Sequence, residues 1–181
     1  MHPGSLPSTL AGLFAGPARQ LSGVKPSAEI APGIRIGIDD SAQLDVKIDA
    51  KKLGSESSGV YPNSIDLAFT GPATWLALET EMDWTDLVSG RRYQLGICAV
   101  PDRAIECQAV VRLLRDDGSH HDHLLAKWTL SPTDRFRYLT GELELGAPAG
   151  VNMQQKPTLV IFFDTGDDFG ICLNQLIASF S

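Results

Sequence analysis

Residues 43–49 read Q-L-D-V-K-I-D. Leu44, Val46 and Ile48 fall on one side of an extended chain, and Asp45, Lys47 and Asp49 on the other. Such alternation marks an antiparallel strand with one face in a core and one in water. The rule recurs along the chain. Ile105, Cys107, Ala109, Val111 and Leu113 share a parity within 105–115, as do Tyr93, Leu95, Ile97 and Ala99 within 91–100. The run Leu159-Val160-Ile161-Phe162-Phe163 is apolar throughout, which predicts a central strand covered on both faces. Further strands are predicted over 32–38, 64–70, 74–81, 123–130, 134–145 and 169–180. Turn residues separate them, among them Gly71-Pro72, Ser89-Gly90, Asp117-Gly118 and Gly166-Asp167-Asp168. About ten short strands with such punctuation indicate an all-β fold, a two-sheet antiparallel β-sandwich of the jelly-roll kind.

Two alternations break. In 134–145, Phe136 and Tyr138 have one parity and Leu143 and Leu145 the other, so Gly141 is a candidate bulge. In 169–180 the parity changes across Asn174-Gln175, a second candidate. Asp83 to Val88 suits a single helical turn capped by Asp83 or Thr85. Residues 1–26 are rich in Pro, Gly and Ser and read as a flexible tail, leaving 27–181 as the sandwich domain. The alternative for the tail is a short docking helix from Ser8 to Phe14, presenting Leu10, Leu13 and Phe14 to a protein partner. It lacks the basic n-region and continuous apolar core of a secretory signal.

Composition narrows the function classes. The 181 residues carry 15 Lys+Arg against 22 Asp+Glu, a net charge of −7, with no basic cluster to hold nucleic acid or an anionic membrane surface. No apolar run approaches the roughly 18 residues of a spanning helix, so membrane insertion is not expected. Three cysteines cannot make a disulfide framework. If 91–100 and 105–115 pair, Ile97 and Cys107 face the core and Cys98 faces away. Three thiols and no disulfide are therefore predicted, which leans toward a reducing compartment. There is no nucleophile elbow, phosphate loop or dinucleotide fingerprint. Glu142 and Glu144 share a parity, a faint hydrolase signal only.

The C-terminal part resembles a known pattern. Leu87 to Leu95, L-V-S-G-R-R-Y-Q-L, looks like the lead into a central strand, and Val110 to Gly118, V-V-R-L-L-R-D-D-G, like the strand and acidic turn that follow. Phe136 to Leu145, F-R-Y-L-T-G-E-L-E-L, looks like a later strand with Phe136 where Trp is usual, and Thr158 to Ile177 like the closing pair. Over 64–181 these motifs are similar to the jelly-roll carbohydrate-binding modules appended to xylanases and cellulases, within the galactose-binding-like group. The resemblance implies a glycan held on a shallow sheet face or at the loop ends. It also implies a structural calcium ion held partly by an acidic pair, where this chain has Asn174 and Gln175. Neutral amides suit a hard cation less well than carboxylates, so no cofactor is expected.

Sugar recognition needs flat apolar faces for ring C–H groups and planar polar groups for hydroxyls. Trp75 shares its parity with Ala77, Glu79 and Glu81; Trp84 follows in a loop; Tyr61 lies beside Pro62 and Asn63. These three are the candidate stacking residues, with Arg112, Gln94 and Glu79 as polar contacts. Trp128 shares a parity with Leu124, Ala126 and Leu130 and reads as core. His120-His121-Asp122-His123 offers zinc-binding groups, but adjacent residues of an extended chain diverge, so a solvated hairpin end is expected. The acidic turn 164–168 reads likewise as turn chemistry. The readings that follow are a non-catalytic carbohydrate-binding module or, as the alternative, a protein-interaction module. The latter would dock a partner through the N-terminal segment or a sheet face, for instance in polysaccharide synthesis.

Overall fold

The alternating stretches pair into twelve strands in the computed structural model, which describes residues 19–25, 27–31, 33–38, 43–50, 63–70, 75–87, 92–133, 136–143, 150–164 and 168–180. In chain order these are β1 Arg19–Leu21, β2 Glu29–Ala31, β3 Ile34–Ile38, β4 Gln43–Ala50, β5 Asn63–Thr70 and β6 Trp75–Glu81. They continue as β7 Arg92–Pro101, β8 Ile105–Leu114, β9 His120–Leu130, β10 Phe136–Glu142, β11 Thr158–Asp164 and β12 Phe169–Phe180. The first sheet has the order β1-β4-β5-β12-β7-β10 and the second β2-β3-β6-β11-β8-β9. Every strand pair is antiparallel, and the two sheets stack as a jelly-roll sandwich. Among the described residues no helix is long and apolar enough to cross a membrane.

Alternate residues of both sheets supply one core. Leu44 and Val46 of β4, Leu95 and Ile97 of β7, Ile36 of β3, Leu76 of β6 and Ile161 and Phe163 of β11 are all buried in it. Phe69 and Phe169 meet there with ring centroids 5.1 Å apart. Cys107 lies in this core and Cys98 does not, because β7 and β8 belong to different sheets and Cys98 points away from the partner sheet. Cys98, Cys107 and Cys172 are thiols.

The sandwich starts earlier than residue 27. β1 pairs with β4, the Val24 N–H donates to Leu44 O at 2.8 Å, and Val24 is buried in the core. Residues 19–21 of the expected tail thus belong to the first sheet, and Val24 to the core. Their few apolar residues meet a long strand edge that composition alone does not reveal. Residues 1–18, with the Leu10–Phe14 patch, lie outside the described residues.

The two expected bulges fare differently. The β12–β7 register does slip between Leu173 and Gln175. At Gly141 it does not slip: β10 pairs with β7 without a break from Phe136 to Glu142. The glycine serves another purpose. Its partner Tyr93 fills the space where a side chain would stand, and a Cβ at 141 would lie within 2.7 Å of the Tyr93 ring. Tyr93 passes over Gly141 and donates its hydroxyl to Leu125 O in the other sheet at 2.5 Å. Leu125 is itself an extra residue in β9, where the register with β8 slips between Ala109 and Val110. That slip leaves Trp128 on the core as expected and corrects the reading of Leu124. Trp128 packs on the core, but Leu124, expected beside it, is 48% exposed on the other face.

Ala in place of Gly within a strand is ordinarily mildly stabilising. Here the Tyr93 ring reverses the sign, and Gly141→Ala is expected to cost about 1–3 kcal/mol in urea unfolding. Tyr93→Phe is expected to cost about 1 kcal/mol through the lost hydroxyl bond. A neutral Gly141→Ala would refute the close approach. Burial pushes the Cys107 thiol up to about 12 from an ordinary 9.0. A raised pKa means that the folded state holds the proton more tightly. The stabilising contribution is therefore complete below pH 9 and is lost as pH rises from 9 toward 12. At pH 8, Cys107 is expected to resist iodoacetamide until the chain is unfolded, while the half-buried Cys98 and Cys172 react sooner, as peptide mass mapping would show.

Candidate functional site

The outer face of the second sheet gathers the most chemistry. Strand alternation sends Leu78 inward and Ala77 and Glu79 outward from β6, and Leu159, Ile161 and Phe163 inward and Val160 and Phe162 outward from β11. Register then sets the rows across the sheet. Glu79, Val160, Val110 and Leu124 form one, running from β6 to β9. Thr158, Arg112 and Asp122 form the next on one side, and Ala77, Phe162, Gln108 and Lys127 the next on the other.

Ala77, Val110 and Val160 are 0–1% exposed although they point away from the sandwich core. They form a second small apolar cluster with Phe162 packed on it. Arg112 lies over this floor. Its guanidinium carbon is 5.5 Å from the centre of the Phe162 ring, two rows away. The side chain reaches that ring only by crossing the intervening Val110–Val160 row, which helps to bury both valines.

Carboxylates hold the guanidinium from two strands. Arg112 Nε and Nη2 donate to Asp122 Oδ1 and Oδ2, each at 2.8 Å, the planar two-point geometry that fixes a guanidinium most firmly. Nη1 lies 3.7 Å from Glu79 Oε1 on the other side. The Asp122 hydrogen bonds, more than the opposing burial, raise the Arg112 pKa further above its ordinary value, so it is always charged. Two of its five N–H donors are taken by Asp122, and the rest remain on a half-buried side chain at the surface. Such a face offers a flat cation, carboxylate acceptors and an apolar floor within one sheet.

Of the expected site residues, Arg112 and Glu79 are brought together here. Trp75 opens β6, the strand of Glu79, and pairs with Asp164. Trp84 sits just beyond the other end of that strand in a 3-10 turn over Trp84–Leu87. The Asp83 N–H donates to Asp86 Oδ2 at 3.3 Å, so the turn is tied by Asp86 reaching back, and Lys156 Nζ approaches Asp83 at 3.3 Å. Trp84 is half-buried against the core and donates its indole N–H to Gln155 O at 3.1 Å. It closes the end of the sandwich. Seven strand residues separate the two tryptophan positions by about 20 Å, so one sugar ring cannot meet both.

Gln94 is elsewhere. It lies on β7 of the first sheet, on that sheet's outer face, where its Oε1 accepts from the Tyr138 hydroxyl at 2.6 Å. Tyr61 lies outside the described residues. Asp122, Phe162 and Val160 escaped the reading of the sequence. Asp122 was legible only as part of the histidine cluster, and its pairing with Arg112 depends on the β8–β9 register. The pleat divides that cluster: Asp122 turns toward Arg112, while His121 and His123 lie half-buried at the alternate positions. Among the described residues no three His, Cys, Asp or Glu groups converge as metal ligands. Asn174 and Gln175 mark the β12 register slip, but their side chains, like the turn 165–167, lie outside the description. Glu142 is exposed and pairs loosely with Arg92 at 3.9 Å; Glu144 lies outside the described residues.

No protein-family model and no curated protein matches the sequence. Solved structures do match in three dimensions. The enzymatically active domain of bacteriophage CBA120 tailspike protein 4 aligns at a TM-score of 0.54 and 15% identity, over 88% of this chain and 21% of that one. The CBM22-1–GH10 modules of Clostridium thermocellum xylanase Xyn10B, complexed with xylohexaose, align at 0.50 and 11% identity, over 88% and 28%. A family 11 carbohydrate-binding module from Clostridium thermocellum aligns at 0.49 and 12% identity, over 91% and 97%. The chain thus spans about a fifth of the tailspike chain it matches. The likeness is one of fold: the jelly roll resembling carbohydrate-binding modules, expected from the motifs, is the fold this chain has.

Removing the Asp122 charge tests what its pair with Arg112 adds to stability. Asp122→Asn is expected to cost about 1 kcal/mol in urea unfolding, shrinking at high salt because both side chains are partly solvated. An unchanged midpoint at low and high salt alike would show that the pair adds nothing to folding stability.

Proposed function

We propose that this chain is a non-catalytic carbohydrate-binding module that lays an extended glycan along the outer face of the second sheet. The observation that carries this reading is Arg112, clamped by Asp122 and flanked by Glu79, over the floor of Ala77, Val110, Val160 and Phe162. A guanidinium already held by carboxylates presents its remaining N–H groups without further ordering, so hydroxyls meet donors whose entropy is already lost. Glu79 supplies an acceptor beside it. Phe162 and the floor supply apolar contact for ring C–H groups.

The charge pattern favours a neutral glycan. Arg112 is compensated by two carboxylates, so a uronate would meet no net positive field. In this reading Trp75 and Trp84 flank the strand carrying Glu79, at the two ends of a ligand several rings long, and Tyr61 adds a loop contact. The CBM22-1–GH10 modules complexed with xylohexaose share only the fold, at 11% identity, so the reading rests on the Arg112 face itself.

Affinity electrophoresis through gels containing xylan, mixed-linkage β-glucan or mannan is the direct test, followed by calorimetry with xylohexaose. Retardation in at least one gel is expected. Arg112→Ala should weaken binding about tenfold or more, the loss typical of charge-assisted hydrogen bonds. Phe162→Ala should weaken it as well, with a loss of about 1–2 kcal/mol in unfolding because the ring is packed on the floor. Wild-type mobility that no polysaccharide alters sinks the reading.

A further inference from the structure

The outer face of the first sheet carries its own aromatic and amide pair, at the edge formed by β10 and β7. Tyr138 of β10 stands directly opposite Gly96 of β7. With no side chain at 96, its ring is able to lie down on the sheet. Its hydroxyl reaches along the sheet and donates to Oε1 of Gln94, the diagonal neighbour of Tyr138, at 2.6 Å. The residue is 51% exposed, so part of its ring is open to solvent.

Gln94 is oriented by these contacts. Its Oε1 also receives the Ser179 hydroxyl at 3.5 Å, from the strand on the other side. With the carbonyl oxygen occupied by hydroxyl donors, the amide presents its two Nε2 N–H donors, which have no partner among the described residues. Thr140 completes the row opposite Gln94 as a further exposed hydroxyl. The nearest ion pair, Arg92 with Glu142 at 3.9 Å, is self-compensating.

We propose that Tyr138 and Gln94 form a second carbohydrate contact site, for one neutral pyranose ring, on the opposite side of the sandwich from the Arg112 face. The exposed part of the Tyr138 ring takes the C–H side of the sugar, and the fixed amide beside it donates to an equatorial hydroxyl. The adjacent Arg92 and Glu142 charges cancel, which favours a neutral sugar over a uronate or a phosphate. The second sheet is not needed for this, so the site stands or falls separately from the function proposed above.

Side-chain NMR of the whole labelled chain reads the two faces apart, through the Gln94 Nε2 protons and the Arg112 Nε proton. The probes are the methyl β-glycosides of glucose, galactose, mannose and xylose. They are raised to about 100 mM, because a one-ring site is expected to bind only in the millimolar range. A saturable shift of the Gln94 amide and Tyr138 ring signals with at least one sugar supports the site, whatever Arg112 does. That shift should vanish in Tyr138→Ala and weaken about fivefold in Gln94→Leu, as expected for one lost hydrogen bond. Absence of a saturable Gln94 shift with all four sugars overturns the proposal. So does a shift that survives Tyr138→Ala. Should that variant lose its dispersed spectrum, Gln94→Leu decides: unchanged binding overturns the site and weakened binding supports it.

Discussion

Residues 159–163 are apolar at every position, and a strand of that kind has to be covered on both sides. Much of the architecture answers this demand. β11 sits inside the second sheet between β6 and β8, so its backbone is paired along both edges. Leu159, Ile161 and Phe163 enter the main core and are covered by the first sheet. Val160 and Phe162 face the other way, where the described residues form no third layer, and neighbouring side chains do the covering. Ala77 and Val110 fill the floor at low height, and Arg112 crosses it with its aliphatic stem. The guanidinium is then carried to a fixed place between Asp122 and Glu79. The need to bury a valine and the presentation of a rigid cation are two results of one arrangement.

At the far edge a different constraint joins the sheets. β10 and β9 are the edge strands of their respective sheets. Tyr93, one strand in from β10, sends its hydroxyl across to the carbonyl that the extra residue Leu125 offers from β9. Burial raises the Tyr93 pKa, so the hydroxyl keeps its proton and stays a donor. The bond needs space over the neighbouring strand, and Gly141 leaves it. A glycine that weakens its own strand is retained because a side chain there would meet the ring.

Strand parity was legible wherever a single strand was enough to decide it. The alternation foretold that Leu44 and Val46 of 43–49, and Ile105, Cys107, Ala109, Val111 and Leu113 of 105–115, enter the core, and the unbroken run at 159–163 foretold a strand covered twice. What depends on two strands at once was not legible. The β9 slip at Leu125 moves Leu124 from the Trp128 face to the open one, and no residue type in H-L-L-A-K-W announces it. Gly141 broke the alternation visibly, but a bulge and a close neighbour leave the same mark in one strand. Arg112, Gln94 and Glu79 were all recognised as polar residues on exposed strand faces. Which sheet each strand joins is a question of topology, and that question separates Gln94 from the other two.

The same division between local and non-local constraint bears on why the fold is shared at 15% and 11% identity. A sandwich core asks for apolar residues of about the right size at alternate positions, and many sequences meet that requirement. The likeness of fold therefore survives where residue identity does not, and it carries little information about the outer faces. Those faces are under a stricter kind of constraint. Moving Arg112 by one residue would turn it into the core, and shifting β9 by one residue would separate it from Asp122. A partly solvated pair of this sort adds little to folding stability. Its geometry, held from three strands, covers the apolar floor and, in the function proposed above, also presents the guanidinium to a ligand.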